Sequence, residues 1–250
     1  MVPSRRPARS ATPSPSRIGG SKPLLLASVL ALAAWTFFGA SQAAEEPVRI
    51  PPPAADMVAG TAGPQTVVFA GGCFWGVQGV FQHTRGVLSA VSGYAGGAAD
   101  TAQYTAVSGG RTGHAEAVQV TFDPQQVSYG KLMQIYFSVA HDPTQRNRQG
   151  PDIGTQYRSA IFYATPAQQD LTRRYIAQLD AAKAYTAPIA TEVAPLKAFY
   201  PAEAYHQDYA TLHPTQGYIA TYDLPKIAHL KALMPELYRE QPVLVKPAGA

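Results

Sequence analysis

The sequence predicts a two-layer α+β sandwich with a split βαβ core and an irregular C-terminal extension. Between residues 66 and 163 the hydrophobic patterns follow the order strand, helix, strand, strand, helix, strand. That order is typical of the ferredoxin-like split βαβ fold. About 200 residues follow a distinct N-terminal segment, a length that suits one domain with a full core. The last third of the chain has weaker periodicity, which predicts short elements joined by loops.

The first half of the core is predicted from three strands and one helix. A buried apolar run at 66–70 predicts the first strand. Residues 73–85 place their apolar side chains near one face at helical spacing. Strands are predicted at 87–94, before a glycine-rich turn, and at 114–122, before Asp123-Pro124.

The second half is marked by two helix starts. Ser128 is expected to cap a helix that buries apolar residues at helical spacing. A strand is predicted at 157–163. Residues 165–168 form a capping box with proline at the first helical position, opening a helix to about residue 183. Further elements are predicted as a short strand at 189–193 and short helices beginning near Ala202 and Lys226.

Residues 1–44 differ from the rest of the chain. Basic residues without any acidic one precede an apolar run at 24–38, and small residues follow it. This pattern is typical of a bacterial secretory signal, with cleavage expected after Ala43 or Ala44. We therefore expect export to the bacterial periplasm. An uncleaved membrane anchor is the alternative, although the apolar run is at the short end for a span.

Charge and composition narrow the possible functions. The whole chain carries a formal charge of +4, but residues 1–44 supply five positive charges, which leaves −1 for the remainder. Nothing in that balance argues for nucleic acid. Residues 45–64 are rich in Pro, Ala and Gly and predict a flexible leader, whereas 65–240 form the domain. A disordered tail is predicted at 241–250, and near-neutral charge without heptads makes a monomer the expected state.

The chain has one cysteine, Cys73, in the segment Ala70-Gly71-Gly72-Cys73-Phe74-Trp75-Gly76. A thiol at a strand-to-helix turn meets the positive end of the following helix. That field is expected to lower the thiol pKa and favour the nucleophilic thiolate. Phe74 and Trp75 predict an apolar pocket beside the sulfur. These residues indicate an enzyme built around one reactive thiol.

Glu116 is the candidate acid. On the strand at 114–122 it shares parity with Val118, Val120 and Phe122, so its carboxyl is expected to face the apolar side. Burial raises the pKa of a carboxyl and keeps it protonated near neutrality, ready to donate a proton. The alternative is a glutamate that turns to water at the strand end.

Other polar residues give weaker signals. Asp152 lies in a polar, glycine-rich loop before a strand and is expected either in a site or in a turn. His141-Asp142-Pro143 is consistent with a Cys-His-Asp hydrolase or with a turn after a helix. His206 and His213 lack the spacing of a helical zinc pair, so packing or capping is expected and no metal site is predicted.

Several segments, in the right order, resemble the A type of the peptide methionine sulfoxide reductase family. The likeness extends over nearly the whole predicted domain. It is carried by Gly71-Gly72-Cys73-Phe74-Trp75-Gly76, Ser92-Gly93-Tyr94-Ala95-Gly96-Gly97, Gly113-His114-Ala115-Glu116-Ala117-Val118, His141-Asp142-Pro143-Thr144, residues 147–159 and Tyr205-His206-Gln207-Asp208-Tyr209.

The resemblance implies reduction of the S epimer of methionine sulfoxide, free or in proteins, without metal or organic cofactor. By motif position Cys73 would be the nucleophile and Glu116 the main acid. Attack on sulfur with protonation of oxygen would release methionine and leave a cysteine sulfenic acid. Further roles would fall to Tyr104 and Tyr157 as hydrogen-bond donors to the sulfoxide oxygen, Asp152 as a supporting residue, Phe74 and Trp75 around the substrate methyl, and, as a weaker carry-over, Tyr218.

One departure from the family pattern changes the expected cycle. Many relatives carry further cysteines in the C-terminal segment, beginning next to the position of Tyr218, but here that stretch reads Gly217-Tyr218-Ile219-Ala220-Thr221-Tyr222-Asp223. No second cysteine exists to trap the sulfenic acid, so an external thiol is expected to resolve Cys73. Thioredoxin-like, glutaredoxin-like and small-thiol reductants are the candidates.

Two alternatives from other classes remain open. A cysteine hydrolase would use Cys73 with His114 or His141 and would turn over esters or amides without a reductant. A non-catalytic methionine-binding module would use the aromatic pocket alone, and Cys73→Ser would then leave its affinity intact.

Overall fold

Four antiparallel strands form the centre of the protein, which a computed structural model describes over residues 45–57 and 63–245. The strands Ser159–Tyr163 (β6), Gln65–Gly71 (β1), Ala115–Phe122 (β3) and Val87–Ala95 (β2) lie side by side in that order. Strand Glu192–Pro195 (β7) adds to β6 in parallel, and strand Phe199–Pro201 (β8) adds to β2 in antiparallel orientation. The strands found within the described residues are β1 Gln65–Gly71, β2 Val87–Ala95, β3 Ala115–Phe122, β4 Arg148–Gln149, β5 Asp152–Ile153, β6 Ser159–Tyr163, β7 Glu192–Pro195 and β8 Phe199–Pro201.

Two helices, α1 at Phe74–Gln82 and α3 at Tyr129–Ile135, complete the interleaved βαβ units β1–α1–β2 and β3–α3–β6, so the predicted ferredoxin-like core is confirmed. In the part of the chain that the structure describes, the α-helices are α1 Phe74–Gln82, α2 Tyr104–Val107, α3 Tyr129–Ile135, α4 Pro166–Ala181, α5 Tyr209–Leu212 and α6 Leu224–Leu233. π-helical turns occupy Tyr136–Ala140 and Ile219–Asp223, and 3₁₀ turns occupy Ala99–Thr101, Thr155–Tyr157 and Ala204–His206.

The two predicted helix caps are present. Ser128 accepts a hydrogen bond from the N–H of Lys131, and Thr165 accepts one from the N–H of Gln168. Elsewhere the predicted bounds shift. The strand expected from residue 157 begins at 159 because a 3₁₀ turn precedes it, and the strand expected at 189–193 lies at 192–195. Helix α2 and strand β8 were not predicted.

Hydrophobic side chains cover both faces of the sheet unequally. The larger cluster lies between the sheet and the helices and includes Phe69, Val118, Val120 and Phe122. The opposite face buries mostly small residues, among them Ala115 and Ala117. Alternate residues of β3 therefore enter different clusters, and the parity of Glu116 directs it to the helical face.

The flexible leader expected at 45–64 is wrong for residues 45–57, which pack along the domain. The N–H of Val48 donates to the Ser138 carbonyl at 2.9 Å, and Ile50 is buried. The segment was missed because backbone hydrogen bonds, rather than a periodic apolar face, hold it in place. The predicted tail also differs, since the N–H of Val245 donates to Asp208. Residues 246–250 lie outside the described residues.

The expected signal at 1–44 lies outside the described residues. Within residues 45–57 and 63–245, no helix has the length and apolar character needed to span a membrane.

Candidate active site

Cys73 lies in the turn between β1 and α1, where Gly71 and Gly72 let the backbone pass close to neighbouring side chains. Gly72 has a φ of +88°, and a Cβ there would lie 2.6 Å from Cβ of Gln149. Only glycine fits that combination of left-handed backbone and close approach. Cys73 then occupies the N-cap position of α1 and is 8% exposed. The turn thus holds the sulfur at the helix start, as predicted, but nearly out of solvent.

The prediction of a lowered pKa for the Cys73 thiol is wrong. Burial first, and then the negative charges of Asp223 and Glu116, raise the pKa of Cys73 well above its usual value. The backbone N–H of Trp75 opposes this effect. One helix-terminal donor is outweighed by desolvation and two carboxyl groups. Cys73 therefore rests as a thiol.

Glu116 lies on β3 with its carboxyl buried on the helical face, 3% exposed. Its Oε2 accepts a hydrogen bond from the N–H of Phe74 at 3.1 Å. Burial raises the pKa of Glu116 to about 8, and the hydrogen bond from Phe74 opposes the shift. The prediction of a buried carboxyl that stays protonated near neutrality is confirmed, and its partner is the residue directly after Cys73.

One cavity of about 120 Å³ brings together the eight residues to which the family resemblance assigned a role. Phe74 and Trp75 directly follow Cys73, whereas the other members lie at least 30 residues from it in the sequence. The lining residues are Cys73, Phe74, Trp75, Tyr104, Glu116, Asp152, Tyr157 and Tyr218.

Two phenols line this cavity beside the carboxyl. Burial, and then the charge of Glu116, raise the pKa of both Tyr104 and Tyr157, so each stays a hydrogen-bond donor. Glu203 fixes the backbone of Tyr104, because its Oε1 accepts the Tyr104 N–H at 2.9 Å. Its other oxygen accepts the Tyr94 hydroxyl at 2.8 Å. The carboxyl of Glu203 thus ties α2 to the sheet.

Asp152 and Tyr218 form a hydrogen-bonded pair on another wall. The Tyr218 hydroxyl donates to Oδ2 of Asp152. Burial raises the pKa of Asp152, and the hydrogen bond from Tyr218 opposes the shift. The two-residue strand β5 places Asp152 at the cavity, so the side chain lies in the site rather than only in a turn.

Aromatic side chains build the apolar wall that the sequence predicted beside the thiol. Phe74 is buried, and Trp75 stacks on Tyr209 with ring centroids 4.0 Å apart. Tyr218 meets Trp75 edge-on at 6.3 Å. His206 packs against Phe74 at 5.1 Å, as the packing interpretation expected. Sequence reasoning missed its closeness to the site, although the segment 205–209 belongs to the family likeness.

The two histidines of the hydrolase alternative are engaged elsewhere. His114 receives the Gly97 N–H on Nδ1 and contacts the Ala98 carbonyl through Nε2 at 2.9 Å. His141 contacts the hydroxyl of Ser159 and a backbone carbonyl, and burial lowers its pKa to about 3. Neither ring has a nitrogen left to activate Cys73, so neither His114 nor His141 can serve as the base of the hydrolase alternative. The neighbouring Asp142 instead forms a turn with Thr144.

Two buried ionisable residues near the cysteine were not predicted as site residues. Asp223 is fully buried, and within the described chain neither of its oxygens has a hydrogen-bond partner. Lys226 is 6% exposed and places Nζ 4.0 Å from Oδ1 of Asp223. Only a short helix near Lys226 is predicted from the sequence, because both residues lie far from Cys73 along the chain.

The described residues contain no group of three or more His, Cys, Asp or Glu arranged to hold a metal ion.

Comparison with known proteins places this arrangement in a family of thiol-dependent sulfoxide reductases. The family model described as "Peptide methionine sulfoxide reductase" matches residues 65–236. The "Peptide methionine sulfoxide reductase MsrA 2" of Mesorhizobium japonicum is 62% identical over 187 residues, covering 75% of this chain and 96% of the relative. The protein of the same name from Synechocystis is 52% identical, covering 71% and 85%.

Solved structures agree with the sequence relatives. Methionine sulfoxide reductase A of Corynebacterium diphtheriae superposes with a TM-score of 0.55 at 36% identity, covering 70% of this chain and 88% of that chain. Reduced Mxr1 from Saccharomyces cerevisiae gives a TM-score of 0.57 at 33% identity, covering 63% and 90%. This chain belongs to the peptide methionine sulfoxide reductase family. Its relatives are of the A type, and with one cysteine it is a single-cysteine member.

Proposed function

We propose that this protein reduces methionine S-sulfoxide, free or in proteins, to methionine and so repairs oxidised proteins. The observation that carries the proposal is the meeting of one thiol, Cys73, with one protonated carboxyl, Glu116, in a single small cavity. A volume of 120 Å³ corresponds to about four water molecules. This space suits the end of a methionine sulfoxide side chain.

Two groups carry out the chemical step. Sulfoxide oxygen leaves poorly unless it is protonated while sulfur is attacked. Glu116 donates the proton to oxygen, and the Cys73 sulfur forms a bond to the substrate sulfur. The thiol proton of Cys73 leaves as the sulfur attacks. The oxygen then passes to Cys73 as the substrate S–O bond and the transient bond between the two sulfurs break, so methionine leaves reduced and Cys73 remains as a sulfenic acid.

The remaining wall residues orient the substrate. Tyr104 and Tyr157 donate hydrogen bonds to the sulfoxide oxygen, and Phe74 and Trp75 surround the methyl group. Asp152 supports the site through its hydrogen bond with Tyr218, and Tyr218 also braces Trp75.

An external thiol completes the cycle. The first thiol attacks the sulfenic sulfur, releases water and leaves a mixed disulfide on Cys73. A second thiol releases Cys73 and departs as a disulfide, so two thiols are oxidised for each sulfoxide reduced. This cycle requires neither metal nor organic cofactor. The reductant is a thioredoxin-like or glutaredoxin-like protein or a small thiol, because the chain has no second cysteine.

We also propose that the protein works as a monomer exported to the bacterial periplasm. The support is the basic, then apolar, then small-residue pattern of residues 1–44 and the near-neutral charge of the remainder.

Single-turnover mass spectrometry tests the proposed reaction. Reduced protein mixed with methionine S-sulfoxide in the absence of reductant is expected to form one methionine per chain and to gain one oxygen atom on Cys73. Cys73→Ser is the matched control and is expected to form none. Methionine formed without modification of Cys73 would contradict the scheme, and binding without turnover would favour a methionine-binding module.

A further inference from the structure

The chemical step requires a proton acceptor that the proposed scheme does not yet contain. Cys73 rests as a thiol, and Glu116 also holds its proton near neutrality. Glu116 gives its proton to the sulfoxide oxygen, so it cannot at the same time take the thiol proton. Release of that proton to bulk water would leave an extra negative charge in a buried, already acidic site, which is costly. Transfer within the site conserves its net charge.

Asp223 is placed to receive this proton. Its carboxyl packs against the first turn of α1, where a Cβ on Gly76 would overlap Oδ1. Gly76 comes three residues after Cys73, so the carboxyl lies beside the helix start that holds the sulfur. Asp223 is fully buried, and both of its oxygens lack hydrogen-bond partners among the described residues. A buried carboxyl with both oxygens free is costly and points to a role in proton transfer.

Lys226 supports the ionised form of this carboxyl. Its Nζ lies 4.0 Å from Oδ1 of Asp223, and both side chains are buried. Burial raises the pKa of Asp223 to about 7, and Lys226 opposes the shift. Burial also opposes the charge of Lys226, yet Glu45 and Asp223 raise its pKa, so it stays a cation. The lysine therefore holds Asp223 near the balance between its two forms at neutral pH.

The other acidic groups around the site are occupied. Asp152 accepts the Tyr218 hydroxyl, and Glu203 is held by Tyr94 and the Tyr104 backbone. Glu45 accepts hydrogen bonds from the Asp142 backbone and the Gln145 side chain. The charges that act on Asp223 come from Lys226 on α6, Asp152 on β5 and Glu45 in the N-terminal segment, and Asp223 acts in turn on Cys73.

We propose that Asp223 is the base that accepts the Cys73 proton during attack on the sulfoxide. The inference rests on the proposed function. The S–H bond of Cys73 breaks, and its proton passes to the Asp223 carboxylate. The sulfur bonds to the substrate while Glu116 protonates the oxygen. After the turnover Asp223 is protonated and Glu116 is ionised, and one proton must move from Asp223 to Glu116 before the next cycle.

Asp223→Asn tests the role with little change in shape. The rate constant for sulfenic acid formation on Cys73 is measured by rapid quench with methionine S-sulfoxide. Base catalysis is typically worth 10²–10⁴-fold, so we expect a loss of about 10²-fold or more in kcat with KM changed less than about threefold. The deficit relative to wild type should shrink as pH rises, because bulk solvent then ionises the thiol. Asp56→Asn is the matched control, since Asp56 packs against Gly130 of α3 in the same manner, and should retain the wild-type rate.

The wild-type protein and a second variant keep the proposal testable even if Asp223→Asn does not fold. The wild-type rate of sulfenic acid formation should fall as pH drops below about 7, because Asp223 becomes protonated. In Lys226→Gln this fall should begin at higher pH, because the cation that lowers the pKa of Asp223 is gone. An Asp223→Asn rate within about threefold of wild type, a deficit that is the same at every pH, or a fall that begins at the wild-type pH in Lys226→Gln would each overturn the assignment. Wild-type protein that forms no sulfenic acid would instead refute the proposed function itself.

Discussion

Helices α1 and α3 begin with the same packing but satisfy their polar groups differently. In each, a glycine in the first turn lies against a carboxyl from a distant segment, Gly76 against Asp223 and Gly130 against Asp56. At α3 the carboxyl is fully used. Asp56 accepts the Ser128 hydroxyl at 2.5 Å and the Gly130 N–H at 2.9 Å. The start of α3 is thus a closed structural cap.

At α1 the corresponding N-cap side chain and carboxyl do not cap the helix. Cys73 stands at the N-cap without a side-chain cap bond, the Phe74 N–H donates to Glu116, and Asp223 has no donor within the described chain. Helix-terminal donors that normally receive a cap here hold the nucleophile and the acid. The reactive start of α1 thus gives up local stability and keeps its polar groups available.

The largest expected effect comes from Glu116→Gln, which removes the acid while keeping an acceptor for the Phe74 N–H. Loss of the proton donor should lower kcat by about 10²–10⁴-fold. Steady-state reduction of methionine S-sulfoxide measures it. Thr121→Val is the control, because Thr121 lies on the opposite face of β3. A Glu116→Gln enzyme with near wild-type kcat would show that the two helix starts differ for a reason other than catalysis.

A smaller effect is expected from adding one methyl group at each helix start. Gly76→Ala would push Asp223 from its place, and Gly130→Ala would push Asp56. Both should lower the free energy of unfolding by about 1–3 kcal/mol through overpacking. Only Gly76→Ala should also lower kcat, by about 10²-fold, because it displaces groups beside the sulfur. Denaturant unfolding and kcat are measured on both variants. Equal kcat in the two would remove the functional contrast.

Much of this site could be predicted from local patterns. Strand parity placed the carboxyl of Glu116 on the buried face, and a strand followed by glycines and a helix placed Cys73 at a helix start. Ser128 was predicted as a cap because serine before an apolar period is a direct chemical signal. Each of these inferences needs only neighbours within a few residues.

The rest depends on contacts between distant segments. The thiol pKa was predicted in the wrong direction because the helix dipole is a local signal, whereas burial and the charge of Asp223 arise only in the folded chain. Asp223 and Lys226 look like ordinary residues at a helix start in the sequence. The segment 45–57 packs through backbone groups, which leave no periodic pattern to detect.

The pH dependence of kcat/KM tests whether Glu116 is the acid, with an expected change of about tenfold per pH unit above its pKa. Glu116 acts in its protonated form, and burial raises its pKa to about 8. The value of kcat/KM for wild type should therefore fall as the pH rises through about 8, because the proton is lost, and this limb is separate from the one expected below pH 7 for Asp223. Rates with methionine S-sulfoxide between pH 6 and pH 10 measure this limb, which should be absent in Glu116→Gln. A limb that persists there would assign the ionisation to another group.

The smallest effect is expected at the structural helix start. Ser128→Ala removes the acceptor for the Lys131 N–H and the donor to Asp56. Losing such a cap typically costs about 1 kcal/mol, which lowers Tm by about 2–4 °C in a chain of this size. Calorimetry measures the shift, and kcat should equal that of wild type because the start of α3 lies outside the cavity. If kcat fell together with Tm, the arrangement of groups at the start of α1 would depend on the cap of α3.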